Sequence, residues 1–353
     1  MVAVLAIVGL QHWNTTTYAI TPGDATPVGP LVKISGVGST SHHDKILFTD
    51  VYLQQLTAWQ WLTFHLQSHV EYLNQSELLD PGVPVSELNA QGFLEMSDSK
   101  QAAEVAAFNA LGWKTFMTPA GAVVTGVTYP SPAERVNLFV GDRITGINGQ
   151  RVTGACDLVN AVYKMAPGTK AALRIDKAHY SATGVLTYTS TVTKTVVTEK
   201  TPKGIGTSGC PGDPGISRSW LGVSLEDGTT YQLPGTVSIN TANIGGPSAG
   251  LAMTLSIIDK LSKDSLAGGA PIAATGTMDI YGNVGDVGGV AEKTVAVQRA
   301  GAKYFIVPQV EVKTAQANAA PGLKIIGVTT LGQALNDLRA IDGGVIRPIT
   351  KPH

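Results

Sequence analysis

A serine and a lysine in this chain stand in settings that suit nucleophilic catalysis. Ser248 is entered through Asn243-Ile244-Gly245-Gly246-Pro247 and followed by Ala249-Gly250 and a long apolar run to Ser262. Small residues around a serine let a substrate backbone come close. A serine at a helix start has free N–H groups and the positive end of the dipole beside it, which is the setting of an oxyanion site. Pro-Ser-Ala is equally an ordinary way to begin a helix. Lys293 sits early in an Ala/Val-rich helical stretch after Gly288-Gly289. It reads either as a solvated surface lysine or as a buried amine able to act as a base.

The elements that must position this pair are legible in outline. Residues 15–56 read as strand-rich, with a Pro/Gly turn region in the run from Tyr18 to Pro30 and a strand at Ile46–Val51. Residues 57–74 show helical spacing through Trp61, Leu62, His65, Leu66 and Leu73. Ser97–Trp113 reads as a cleaner helix, capped by Ser97 or Asp98 and stopped by Gly112. From 121 to 200 the pattern is β-rich, with Asn148-Gly149 as a favoured hairpin turn. Residues 201–219, rich in Gly, Pro and Ser, read as a linker. From Trp220 strands and helices alternate.

The β-rich unit, through its Ser131-Pro132-Ala133 and Gly141-Asp142-Arg143-Ile144-Thr145-Gly146-Ile147-Asn148-Gly149 segments, resembles a PDZ domain of the protease-associated kind. That resemblance implies a groove taking an extended peptide by strand addition, with a backbone loop for its terminal carboxylate. Leu111-Gly112-Trp113 is the candidate loop, and a plain helix cap is the competing reading.

The C-terminal third resembles the proteolytic domain of the Lon family. Pro247-Ser248-Ala249-Gly250, then Thr275-Gly276 on a strand, then Gly288-Gly289-Val290-Ala291-Glu292-Lys293 reproduce that family's order and spacing. The resemblance implies a Ser248 nucleophile, a Lys293 base and a Thr275 that orients the lysine by a hydrogen bond. Gly246, Pro247 and Gly289 are then expected to lie against substrate. The chain departs from the pattern at Gly245 and Thr277, where ATP-dependent members often carry acidic residues. Taken together, the order of units looks like membrane-anchored PDZ–Lon proteases of Gram-positive and actinobacterial cells.

The expected fold is therefore α+β and multidomain. Residues 1–14 are a residual signal-anchor segment, 15–115 a strand and helix region packing with the rest, 116–200 the PDZ-like domain, 201–219 a linker and 220–345 the Lon-type α/β domain. The resemblance also implies a single-pass cell-membrane protein with extracytoplasmic domains. Met1–Leu10, too short to span a bilayer alone since that takes roughly 20 residues, is read as the remnant of its anchor. A homo-oligomer, a hexamer by family resemblance, is implied as well.

Composition excludes other classes. The chain has 353 residues, is 43% hydrophobic and only 14% charged, and carries a net charge of −1, so cores form and no basic stripe suggests nucleic acid. Cys156 and Cys210 have no metal-ligand spacing. They are either one disulfide or two separate thiols. His42, His43, His65 and His69 lack a third ligand or HExxH pattern, so neither metal nor cofactor is expected. Gly288-Gly289-Val290-Ala291-Glu292-Lys293-Thr294 lacks the glycine before lysine that a phosphate loop needs. The activity expected is ATP-independent serine endopeptidase cleavage of unfolded or flexible proteins, with the PDZ unit recruiting or gating substrate. The alternative is a peptide-binding scaffold or regulatory partner with little or no proteolysis.

Overall fold

The computed structural model describes residues 10–40, 45–181, 184–205, 209–211, 219–341 and 346–349. Strands β1 (Asn14–Pro27), β2 (Val32–Ser35), β3 (Ile46–Thr57) and β4 (Glu71–Asn74) open the chain, with helices α1 (Ala58–Phe64), α2 (Gln75–Leu78) and α3 (Val85–Ala110). The helix expected over 57–74 thus ends at Phe64. Thr57 and Gln60 form its capping box, but His69 takes a positive φ, and Glu71–Asn74 leaves to pair with β1. Helix α3 is longer than expected and begins at Val85. Ser97 and Asp98 lie inside it and cap nothing, because a tertiary seat on both faces carries the helix past them.

The β-rich unit follows, with β5 (Phe116–Val127), α4 (Pro132–Arg135), β6 (Arg143–Ile147), β7 (Gln150–Arg151), α5 (Ala155–Tyr163), β8 (Lys170–Tyr180), β9 (Leu186–Val197), β10 (Glu199–Lys200), β11 (Ser219–Trp220) and β12 (Val223–Gln232). Asn148 and Gly149 both take positive φ between β6 and β7, as a tight primed turn requires. The sheet order is β12-β5-β6-β8-β9. Its edge strand β12 comes from beyond the expected boundary at 220, since it pairs with β5 along its whole length. The stretch 201–219 is no free linker either, because Cys210 within it is disulfide-bonded to Cys156 at the start of α5.

The chain then returns through β13 (Thr236–Ile239), α6 (Gly250–Leu261), β14 (Ile272–Ala274), β15 (Thr277–Met278), β16 (Val284–Gly285), α7 (Val290–Arg299), β17 (Tyr304–Pro308), α8 (Val312–Asn318), β18 (Lys324–Val328) and α9 (Leu331–Ala340). Strands β14, β17 and β18 join the N-terminal strands in one sheet of order β18-β17-β14-β3-β1-β4. Strands β1, β3 and β4 of the N-terminal region are therefore part of the C-terminal unit's sheet, while β2 pairs with β13. The first four strands of that order run parallel.

Alternation along these strands divides the interior in two. Ile46, Phe48, Ile272, Ala274 and Ile306 face a core shared with α6 and α3. Leu47, Ala273, Phe305 and Val307 face a second core with Val290 and Val297 of α7. The helix after Ser248 and the helix bearing Lys293 thus cover opposite faces of one sheet. Parallel strands of this kind place sites at their C-terminal ends.

No helix among the described residues is long and apolar enough to cross a membrane. The longest, α3, carries Glu87, Glu95, Asp98, Lys100 and Glu104. The expectation of a single-pass membrane protein is corrected accordingly. Met1–Gly9, on which it rested, and His42 and His43 lie outside the described residues.

Candidate active site

The loop into α6 is held by backbone. Gly246 has φ +89 and donates its N–H to the carbonyl of Gly92 in α3 at 2.7 Å. Beside it, a Cβ on Gly245 would meet backbone atoms of Gly92 at 3.0 to 3.2 Å. The departure from an acidic residue at 245 thus has a steric cause: a side chain there would meet the helix backbone. Pro247 turns its carbonyl to α3, where the Ser99 hydroxyl donates to it at 3.0 Å. The carbonyl of Ser248 accepts from the Thr275 hydroxyl at 3.2 Å and from the Gly276 N–H at 2.9 Å. Ser248 itself is half-buried, one turn ahead of an α6 whose residues are almost all buried.

Lys293 lies on α7, which covers the other face of the sheet. Gly289 has φ +67, and a Cβ on it would meet Val51 of β3 at 3.0 Å. Glycine therefore both permits the left-handed turn and lets α7 start close against the sheet. Four residues on, Lys293 is 3% exposed. Burial pushes its amine down to about 8, against smaller upward pulls from the carboxylates of Asp50 and Glu311. Burial in turn pushes the Asp50 carboxyl up, although the Asp24 N–H donates to it at 2.7 Å.

The predicted residues fare unequally. Thr275 is buried, and its hydroxyl donates to the Ser248 backbone carbonyl. Gly246 and Pro247 spend their polar groups on α3. Gly289 is packed on β3. Asp50 and Glu311 escaped the sequence reading. Their only signal was a carboxylate ending the apolar run Ile46–Thr49 and another just after Tyr304–Pro308.

The peptide-groove reading of Leu111-Gly112-Trp113 is corrected. Leu111 and Trp113 are core residues, Trp113 stacks on Phe108, and Gly112 ends α3 with φ +74. A groove of about 300 Å³ lies instead between α5 and the open edge of β12, lined by Leu158, Val162, Trp220, Leu221, Val223 and Leu225. Gly222 at its mouth has φ +83 and lies against Ser131. The sequence signal was Trp220-Leu221-Gly222-Val223, a hydrophobic-glycine turn opening a strand. Strand order hid it, because the strand forming the groove is the last of the unit in sequence.

Between the two units, α3 faces β12 across a cleft of about 330 Å³ that includes Asp98, Tyr188, Glu226, Tyr231 and Asp279. Asp98 is hydrogen-bonded to Glu226, and burial first, then the Glu226 charge, pushes its carboxyl up to about 7. Among the described residues no cluster of His, Cys, Asp and Glu is arranged to hold a metal ion.

Comparison with known proteins finds a relative for each unit. Residues 240–339 match the Lon protease (S16) C-terminal proteolytic domain, and residues 96–182 match the PDZ domain. The Lon protease of Rickettsia bellii is 31% identical over 118 residues, 33% of this chain and 15% of the relative. That of Xanthomonas oryzae is 32% identical over 108 residues, 30% of this chain and 12% of the relative. That of Ureaplasma parvum is 43% identical over 63 residues, 18% of this chain and 8% of the relative. The chain thus spans 15% or less of these relatives' length. The PDZ domains of SdrC-like proteins from Listeria monocytogenes and Listeria innocua are 18% and 16% identical to this chain. Each covers 30% of it, the matches take in 86% and 92% of those chains, and the TM-scores are 0.22 and 0.20, too low to carry weight.

Proposed function

The chain carries a PDZ domain and a Lon-type C-terminal proteolytic domain, and from that premise we propose that it is an ATP-independent serine endopeptidase working through Ser248 and Lys293. In this reading Ser248 Oγ attacks the scissile carbonyl while the neutral Lys293 amine takes its proton. The proton passes to the leaving amine as the C–N bond breaks, leaving an acyl ester on Ser248. Water then hydrolyses the ester with the lysine again as base. N–H groups at the start of α6 stabilise the oxyanion.

The observation that carries the reading is the setting of Lys293. A solvated lysine holds its proton near pH 10.4, whereas burial brings this amine to about 8. The Ser248 carbonyl is held by Thr275 and Gly276 just after β14, the strand that runs parallel to the β3 that carries Asp50, and this neighbourhood supports the pairing. A buried amine with a lowered proton affinity is suited to act as a general base near neutral pH. The groove between α5 and β12 supports recruitment of extended peptide by strand addition, since among the described residues β12 has only β5 as a neighbour in its sheet. We carry assembly into a homo-oligomer, a hexamer by family likeness, within the same proposal, with sedimentation as its measurement.

The purified protein should cleave casein without ATP, and Ser248→Ala and Lys293→Ala should each abolish cleavage, with products read by mass spectrometry. Intact casein with the parent protein, after assembly is verified and a groove-binding peptide is added, would leave a peptide-binding scaffold in its place.

A further inference from the structure

We propose that Ser99, in α3, is a positioning residue that aims the N–H of Ser248 at the oxyanion, an inference that rests on the proteolytic reading of Ser248. A peptide unit is a rigid plane, and in the trans form its C=O and N–H point opposite ways. The carbonyl of Pro247 and the N–H of Ser248 belong to one such plane. Ser99 Oγ holds that carbonyl at 3.0 Å, so the Ser248 N–H is turned away from α3. The next plane is fixed in the same manner, because Thr275 and Gly276 hold the Ser248 carbonyl. Among the described residues neither the Ser248 N–H nor the Ala249 N–H has a protein acceptor. Two adjacent donors are thereby held in fixed orientation beside the nucleophile, which is what preorganised stabilisation of an oxyanion needs.

Three further features tie Ser99 to this role. It is 4% exposed within a helix interior, where a serine normally bonds back to its own helix, yet its proton goes to a residue 148 positions away. Gly92, two turns earlier on the same helix face, holds the Gly246 N–H at 2.7 Å. The loop is thus clamped on either side of the flexible Gly246. Finally, a Cβ on Gly250 would lie 3.0 Å from Ser99 Oγ, so it is the absence of a side chain at 250 that lets the hydroxyl sit this close to the loop. Without it, the carbonyl of Pro247 keeps only a 3.3 Å bond from the Gly250 N–H.

Ser99→Ala and Ser99→Cys, the second keeping the volume but only a weak donor, are compared with the parent protein on a peptide substrate. We expect kcat to fall about 10- to 100-fold, below the full loss of one oxyanion donor, with KM changed less than about twofold. Affinity for a peptide boronate, whose tetrahedral adduct occupies the oxyanion position, should fall in parallel with kcat/KM. The rising limb from Lys293 should stay where it is in the pH profile, because the base is untouched. An active parent with Ser99 variants of unchanged kcat and boronate affinity would overturn this inference alone, as would losses that track only a lowered melting temperature. A parent that neither cleaves peptide nor binds the boronate would overturn both this inference and the proteolytic reading.

Discussion

Lys293 does chemistry only in its neutral form, and burying the charged form that predominates below about pH 8 costs stability. Its amine is brought from 10.5 to about 8 by burial, so kcat/KM should rise with pH through a limb near 8. An unshifted lysine would put that limb above 10, and a pH profile of peptide cleavage separates the two. The sign for stability follows from proton binding. Between about pH 8 and 10.5 the unfolded chain holds a proton that the folded chain has released, so stability climbs with pH across that window. Below 8 the penalty is full. Lys293→Met should therefore be inactive yet more heat-stable at pH 7, by up to about 3 kcal/mol. The gain should fade by pH 10.5. Calorimetry across this range checks it, and a destabilised Lys293→Met at pH 7 would contradict the buried-amine account.

At the scale of elements, two glycines facing each other make opposite predictions. A Cβ on Gly92 would meet Gly245 at an ordinary 3.7 Å, whereas a Cβ on Gly245 would meet the backbone of α3 at 3.0 Å. Gly92→Ala should be tolerated and stabilise α3 by about 0.5–1 kcal/mol. Gly245→Ala should displace the nucleophile loop and cut activity at least about tenfold. Peptide cleavage together with thermal melting tests the pair. In the other unit, Val159→Asp places a charge in the groove between α5 and β12, which this half-buried residue also lines. It should weaken binding of peptides with apolar C-termini by at least about tenfold, while cleavage of a short peptide that does not use the groove is unchanged. Isothermal titration and a fluorogenic substrate read these two effects separately.

In the whole molecule, α3 belongs to both units. One face meets the nucleophile loop through Gly92 and Ser99. The other packs Leu94 against Val123 and Val140 of the PDZ unit, and Glu87 accepts from the Tyr129 hydroxyl at 2.8 Å. Asp98 sits at this junction with its carboxyl raised to about 7. The folded chain therefore holds a proton between about pH 4 and 7 that the unfolded chain has lost. Stability should fall as pH rises through that window, and the penalty is complete above it. Asp98→Asn keeps a donor toward Glu226 without the charge. It should raise the melting temperature at pH 8 and leave it nearly unchanged at pH 4, and scanning calorimetry at the two pH values decides the matter.

The local chemistry was readable from sequence because it depends on residues close together in the chain. Pro247-Ser248-Ala249-Gly250 ahead of an apolar run marks a helix start with a serine on it, Gly288-Gly289 marks the turn before the lysine helix, and Asn148-Gly149 marks the hairpin. Each signal is a short-range matter of backbone freedom and periodicity. What tertiary structure decided are the relations between distant segments. Strands β1 and β3 complete the sheet under the helix of Lys293, β12 closes the PDZ sheet from beyond the disulfide-tied loop, and α3 continues ahead of its apparent cap because both of its faces are packed. The groove was misplaced for the same reason: Trp113 has the sequence of a binding loop and the burial of a core residue. Pairing in a sheet is set by which edges and apolar faces meet after collapse, and no single window of the chain contains both partners.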